Sequence, residues 1–217
     1  GHELLAATIA REQALLERGG FVLPPSAASA VPNDPQIATR ALRTIPPREQ
    51  GGNMDIKQTC KGAHLLIPVD TPGALFSAGD AHFAQGDCET CGTAIEMSAT
   101  LRVRFQVRKG EAAQKKIRFP RFTRDDYYLP PEFAAPRRFY ATVGVSVTKD
   151  GVDHSEDVSL AARNALLNMI DHLGERGWTQ QQAYAICSVA VDLKISQVVD
   201  VPNMLVSAFL PEDIFTA

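Results

Sequence analysis

Residues 160–191, "LAARNALLNMIDHLGERGWTQQQAYAICSVAV", contain two helical patterns in succession. Apolar residues of the first pattern recur at the three- and four-residue spacing of one helix face: Ala162, Leu166, Met169, Ile170 and Leu173. Two glycines then end this pattern. Thr179, with Gln182 three residues later, has the spacing of a capping box that begins a second helix. The stretch therefore predicts a helical hairpin.

The segments around this hairpin have the pattern of β-strands. Short apolar runs, bounded by glycine, proline or an Asp-Gly turn signal, occupy residues 63–69, 73–79, 93–107, 138–147, 195–201 and 204–210. The part "LRVRFQV" (101–107) alternates apolar and polar residues, as a strand with one wet face does. We therefore predict an α+β chain, mainly β, with a β-sandwich-like core and an inserted helical hairpin near residues 160–192.

The first fifty residues differ from the rest. Residues 3–18 are rich in Ala, Leu, Glu and Arg, which predicts a helix that ends at the following glycine pair. Residues 21–36 hold four prolines and many small residues, as an extended linker does. We predict one part at 1–50 and a second at 51–217. The chain begins at Gly1 without an initiator Met, so we expect a processed or tag-derived end, or a piece of a longer polypeptide.

Composition narrows the class of protein. The 217 residues are 45% hydrophobic, enough for one sizeable core, and carry a net charge of −3, which argues against nucleic acid as the main partner. No stretch approaches the roughly 20 apolar residues of a membrane span. Four unevenly spaced cysteines do not form a disulfide framework. We expect a soluble protein of a reducing compartment.

Residues 79–97, "GDAHFAQGDCETCGTAIEM", concentrate the groups that can perform chemistry. On a strand, Asp80 and His82 share one face and can approach a single ion or substrate. Further carboxylates are close in sequence: Asp55, Asp87, Glu89 and Glu96. Carboxylate and imidazole are suitable ligands for a divalent metal such as zinc. The alternative is that these acidic residues next to glycines serve as turn residues and caps.

The C-x-x-C of Cys88 and Cys91 permits other hypotheses. A structural zinc site needs a second cysteine or histidine pair, and a thioredoxin-type motif needs a βαβ setting; the sequence shows neither. Cys91 could act as an acyl-transfer nucleophile if His82 served as its base. Cys187 lies on the apolar face of the second predicted helix and is expected in the core.

Three segments together resemble the acetamidase/formamidase family. They are "RTIPPREQGGNMDIK" (43–57), "GDAHFAQGDCETCGTAIEM" (79–97) and "DLKISQVVDVPNMLVSAFLPEDIF" (192–215). The resemblance implies a cytoplasmic amidohydrolase that cleaves a small non-peptide amide, such as formamide, acetamide or a γ-lactam, and releases an amine or ammonia and a carboxylic acid. It also implies a family chain about twice as long, so that a processed enzyme would supply the N-terminal half as a separate chain. A homo-oligomer is expected as well.

The resemblance also implies roles for individual residues. Metal ligands, with zinc the expected ion, are drawn from Asp55, Asp80, His82 and Glu96. The expected catalytic groups are Glu96 or Glu89 as general base, together with Asp87. Asn53 and Gln85 are expected to bind the substrate. The family's "QGDGE" reads "QGDCE" here, so position 88 should not need a positive φ, or the cysteine is strained there.

Two rival functions stay open at this stage. In the first, Cys91 attacks the amide and forms an acyl-enzyme. In the second, the chain is a non-catalytic β-sandwich subunit that needs a partner chain.

Overall fold

The computed structural model describes residues 2–22, 34–38, 42–125 and 138–216. The predicted proline-rich linker at 21–36 falls largely outside these ranges. The described residues form two compact units. The first comprises residues 1–54, 64–78 and 104–123, and the second comprises residues 55–63, 79–103 and 124–217. No helix in the described ranges is both long and apolar enough to cross a membrane.

The described residues of the first unit include three helices and a small sheet. The helices are α1 (His2–Glu17), α2 (Pro35–Ala38) and α3 (Glu111–Gln114). Strands β1 (His64–Leu66) and β4 (Arg121–Thr123) form an antiparallel pair. The long α1 matches the helix expected at 3–18, which confirms that prediction.

Two crossed ion pairs attach α1 to residues 48–49. Arg48 Nε donates to Glu12 Oε1 at 2.7 Å, and Arg11 Nη1 donates to Glu49 Oε1 at 2.6 Å. The hydrogen bond from Arg11 lowers the pKa of Glu49 to about 2. Glu12, Arg48 and Glu49 are nearly buried, so each of these charges has its partner where water is scarce.

The second unit contains the sheet that carries the core. Strands β2 (Ala81–Ala84) and β3 (Ile95–Met97) form an antiparallel pair. Strands β5 (Phe139–Val145), β6 (Asp192–Gln197) and β7 (Leu205–Pro211) form an antiparallel sheet in the order β5-β7-β6. Helices α4 (Val158–Glu175) and α5 (Gln180–Ala190) form the predicted hairpin, and a 3₁₀ turn, Glu212–Ile214, follows β7.

The capping box at the start of α5 is confirmed. Gln182 N–H donates to the Thr179 hydroxyl, and the Gln182 side chain accepts from the Thr179 N–H. The core lies between this hairpin and the sheet. Its buried residues are Ala161, Ala165, Met169, Leu173, Ala183, Cys187, Val191, Met204, Val206, Ala208 and Leu210. The prediction that Cys187 belongs to the core is therefore confirmed.

The α+β class is confirmed, but two details of the prediction differ. Residues 101–107 form no strand: they bond to no neighbouring strand in the described structure, and Leu101, Val103, Phe105 and Val107 are exposed. Residues 73–79 form none either, and Ala74 has a positive φ of 59°. Described helical residues consequently outnumber strand residues, so "mainly β" was wrong. The sandwich itself is not confirmed, since helices cover the sheet of the core.

Gly144 sets how closely β5 can pack on α4. A Cβ at this position would lie 2.1 Å from the carbonyl oxygen of Ala161 and 2.2 Å from the amide nitrogen of Ala165. We expect Gly144→Ala to lower the free energy of unfolding by about 3 kcal/mol, because the backbones must separate. Chemical denaturation measures this change.

Gly174 offers a matched control for that substitution. It lies within α4, and a Cβ there would meet nothing within 4 Å. We expect Gly174→Ala to leave stability unchanged or to raise it by up to about 1 kcal/mol. Equal stability of the two variants would contradict the close-packing account.

Candidate active site

The loop after β2 is fastened to helix α5. Gly86 N–H donates to the carbonyl of Ser188 at 3.0 Å, and Cys91 N–H donates to the Ser188 hydroxyl at 3.1 Å. That hydroxyl in turn donates to the carbonyl of Thr93 at 2.6 Å. Ser188 is fully buried, and its bonds hold the candidate residues of this loop at defined positions. In the sequence, Ser188 is a small residue on an apolar helix face and carries no signal of this role.

A close backbone approach fixes the same loop. A Cβ at Gly86 would lie 2.3 Å from the carbonyl oxygen of Val191, just beyond the end of α5. Only glycine fits there without a shift of the backbone. The glycine of the "QGD" segment is therefore explained by the close packing of Gly86 against the end of α5.

Asp87, expected to be catalytic, takes part in an ion-paired cluster. Its carboxylate lies 3.6 Å from Lys57 Nζ and accepts from Gln58 Nε2 at 3.3 Å. Lys57 also pairs with Asp192, whose Oδ1 accepts from the Asp87 N–H at 3.0 Å. Sequence reasoning gave Lys57 and Asp192 no role, because they lie 135 positions apart and only the fold brings them together. These contacts engage both oxygens of Asp87.

His82 occupies the centre of the candidate site. It lies on β2 directly opposite Glu96 on β3. Its Nδ1 lies 2.8 Å from Gln85 Oε1. Its Nε2 is buried and lies 3.2 Å from Asp80 Oδ2, which is ion-pair distance when the ring is protonated, but it makes no hydrogen bond of ordinary geometry to the described residues. A buried polar nitrogen without a partner needs an explanation.

Carboxylates lie close to the His82 ring in two groups. Ligand atoms of Asp55, Asp80 and His82 all lie within 4.8 Å of one another, and the same holds for His82, Glu89 and Glu96. The structure thus brings together all four expected metal ligands and Glu89 around one imidazole. Oxygen and nitrogen donors in this arrangement fit a divalent cation.

The local environment raises the pKa values of His82 and Glu89. Burial lowers the pKa of His82, but hydrogen bonding to Gln85 and the Asp80 and Glu89 carboxylates outweigh it, so the pKa stands above its ordinary value. Burial raises the pKa of Glu89, and the negative charge of Asp55 adds to that shift. A carboxyl with a raised pKa is suited to exchange a proton near neutral pH.

Strained backbone accompanies the site. Positive φ values occur at Asp55 (44°), Asp80 (60°), Cys88 (81°) and Glu89 (39°), none of which is glycine. Such conformations cost about 1–3 kcal/mol each and cluster at functional sites. Asn53 also has a positive φ, 45°, but it belongs to the first unit, where its Nδ2 donates to the carbonyl of Ile45 at 2.7 Å.

The φ of 81° at Cys88 gives a stability prediction. Glycine adopts this conformation without the clash of a Cβ, so we expect Cys88→Gly to raise the free energy of unfolding by about 1 kcal/mol. Thermal or chemical denaturation measures it. As a control, Cys60→Gly removes an exposed cysteine whose φ is not positive and should give no gain. A loss of stability in Cys88→Gly would contradict the assignment of strain.

The thiols are poorly placed for the rival chemistry. The ring nitrogens of His82 lie against Gln85 and Asp80, so the described structure does not pair this ring with Cys91. Desolvation raises the pKa of the Cys88 thiol, and the charge of Asp87 raises it further, which disfavours a reactive thiolate. Burial raises the pKa of Cys187 to about 12.

Comparison with known proteins agrees with the sequence resemblance. The sequence model of the Acetamidase/Formamidase family matches residues 1–217. A formamidase from Methylophilus methylotrophus is 37% identical over 83% of this chain and 44% of its own length. An acetamidase from Mycolicibacterium smegmatis is 38% identical over 69% of this chain and 36% of its own.

A solved structure extends the comparison to three dimensions. The gamma lactamase from Delftia acidovorans matches 100% of this chain and 55% of its own chain, with a TM-score of 0.82 and 33% identity. The chain therefore spans less than half the length of the curated relatives and about half of the structural one.

Proposed function

Because this chain belongs to the acetamidase/formamidase family, we propose that it carries the active-site residues of an amidohydrolase that cleaves the C–N bond of a small non-peptide amide. The substrate class follows from relatives named formamidase, acetamidase and gamma lactamase: a short linear amide or a small lactam. The observation that carries the proposal is the grouping of His82, whose buried Nε2 makes no hydrogen bond to the described residues, with the carboxylates of Asp55, Asp80, Glu89 and Glu96.

Asp55, Asp80 and His82 would hold a divalent ion, with zinc the expected metal, and Glu96 lies across the strand pair as a fourth donor. When bound, such an ion polarises an amide carbonyl and lowers the pKa of water.

Glu89 would then act as the general base. It lies in one group with His82 and Glu96, and burial raises its pKa. It would accept the proton of the attacking water and deliver it to the departing nitrogen. Asp87, engaged by Lys57 and Gln58, would position the loop.

The partner chain, the oligomeric state and the cellular location remain proposals. The relatives extend well beyond the matched region, so we propose that the remaining half of the family chain, in a partner or in the same polypeptide, contributes to the working enzyme. Asn53 and Gln85 as substrate-binding residues, a processed precursor, a homo-oligomer and a cytoplasmic location also stay predictions.

Inhibition separates the metal hypothesis from the cysteine hypothesis. Hydrolysis of formamide, acetamide and a five-membered lactam is measured after treatment with a chelator or with iodoacetamide. We expect the chelator to abolish ammonia or amino-acid release, and readded zinc to restore it, while alkylation has little effect. Loss of activity on stoichiometric alkylation of Cys91 would favour the acyl-enzyme instead. If no amide is cleaved even when the remaining half of the family chain is supplied, the chain is a non-catalytic subunit.

A further inference from the structure

Gln85 uses both ends of its side-chain amide. Its Nε2 donates to the backbone carbonyl of Asp55 at 2.5 Å, and its Oε1 lies 2.8 Å from Nδ1 of His82. It therefore joins the backbone of one proposed ligand to the ring of another. The neighbouring Gly86 is bonded to Ser188, which fixes where Gln85 can reach.

The Asp55 carbonyl decides which way the amide points. A carbonyl oxygen only accepts hydrogen bonds, so the atom of Gln85 that faces it must be the NH₂ group. The reversed amide would place two oxygens 2.5 Å apart, which is repulsive. Oε1 of Gln85 must accordingly face His82.

The orientation of the amide in turn decides the tautomer of His82. Because Oε1 is an acceptor, Nδ1 of the ring must carry a proton to make this bond. In the neutral ring, Nε2 then holds the lone pair, and this is the buried nitrogen beside the carboxylates.

We propose that Gln85 is a positioning residue that holds His82 in the Nδ1–H tautomer and so presents the Nε2 lone pair to the divalent ion. The presentation of Nε2 to an ion rests on the proposed function. The tautomer of His82, in contrast, is a property of the metal-free chain and can be measured there. It assigns to Gln85 a role through its contacts with His82 and Asp55, beside the predicted contact with the substrate. A partner that orients the second nitrogen of a ligating histidine typically contributes 10–100-fold to metal affinity.

The first test reads the tautomer directly. Long-range ¹H–¹⁵N spectra of metal-depleted chain, recorded at about pH 9 where an ordinary histidine ring is neutral, show which nitrogen of His82 carries the proton. We expect Nδ1–H. A protonated Nε2 overturns the proposal, whether or not the chain hydrolyses amides.

The second test removes the acceptor. In Gln85→Leu we expect His82 to lose its fixed tautomer and the dissociation constant for Zn²⁺ to rise about 10–100-fold. Gln85→Glu retains an acceptor for Nδ1 and should recover part of that loss. Gln181→Leu makes the same change on an exposed glutamine of α5 outside the site, and the His82 spectrum should stay that of the unaltered chain.

The outcomes separate the two proposals. An unchanged tautomer and unchanged zinc affinity in Gln85→Leu overturn the role of Gln85. If the unaltered chain shows Nδ1–H but binds no Zn²⁺, the proposed function fails, although the hydrogen-bond assignment holds. If Gln85→Leu does not fold, as circular dichroism would show, the tautomer of the unaltered chain alone decides.

Discussion

Replacing His82 by alanine is expected to remove the bound divalent ion and to lower kcat/KM for amide hydrolysis by at least about 10²-fold. The physical reason is that His82 belongs to both groups of candidate ligands, so its loss leaves only repelling carboxylates. Elemental mass spectrometry of the purified protein gives the metal content per chain. Amide hydrolysis is followed on the same samples.

His154→Ala is the matched control, because His154 is an exposed histidine in the same unit and outside the candidate site. It should leave metal content and kcat/KM unchanged. If a folded His82→Ala variant kept its full metal content and full activity, His82 would not be a metal ligand.

Replacing Glu89 by glutamine is expected to lower kcat by about 10²–10⁴-fold while the metal content stays the same. The amide preserves the shape of the side chain but cannot accept a proton. Loss of the negative charge also relieves repulsion from Asp55 and Asp80, so stability should not fall. Steady-state kinetics and elemental analysis of one preparation measure both quantities.

Glu175→Gln serves as the control for that charge change, because Glu175 is exposed at the end of α4 and lies outside the site. Its kcat should equal that of the unaltered protein. If Glu89→Gln instead loses the ion, Glu89 is a ligand and the base must be sought elsewhere; if kcat is unchanged, Glu89 has no role in proton transfer.

Local sequence signals were sufficient for the helical hairpin. The apolar face of α4 and the capping box at Thr179 act within one or two helical turns, and the structure has both. The family resemblance was likewise carried by three segments and is confirmed over the whole chain. In both cases each signal lies within a short segment of the sequence.

Contacts between residues far apart in sequence could not be predicted from local sequence signals. Alternation in residues 101–107 predicts a strand only if another strand lies beside it, and none does among the described residues. The pairing of Arg48 with Glu12 spans 36 positions, and no local pattern announces it. Strand alternation and isolated charges show that a residue can join a sheet or an ion pair. Which strand or charge it pairs with is determined by the fold.

The sequence indicated which types of residue form the candidate site, but it did not indicate the contacts that hold them in place. The side chains of Asp80 and His82 lie 3.2 Å apart, but the expected shared strand face was wrong, because Asp80 precedes β2 and has a positive φ of 60°. The support from Ser188 and the engagement of Gln85 by the Asp55 carbonyl could not be foreseen, because each depends on how the loop lies against α5 or against residues near position 55.

The central claim is that Asp55, Asp80 and His82 hold a divalent ion. Anomalous diffraction from crystals grown with zinc, recorded on both sides of the zinc absorption edge, tests it most directly. The account predicts one strong peak within about 2.3 Å of His82 Nε2 and of carboxylate oxygens of Asp55 and Asp80. Crystals of catalytically active protein with no peak at these three side chains, or with a peak only elsewhere, would contradict it.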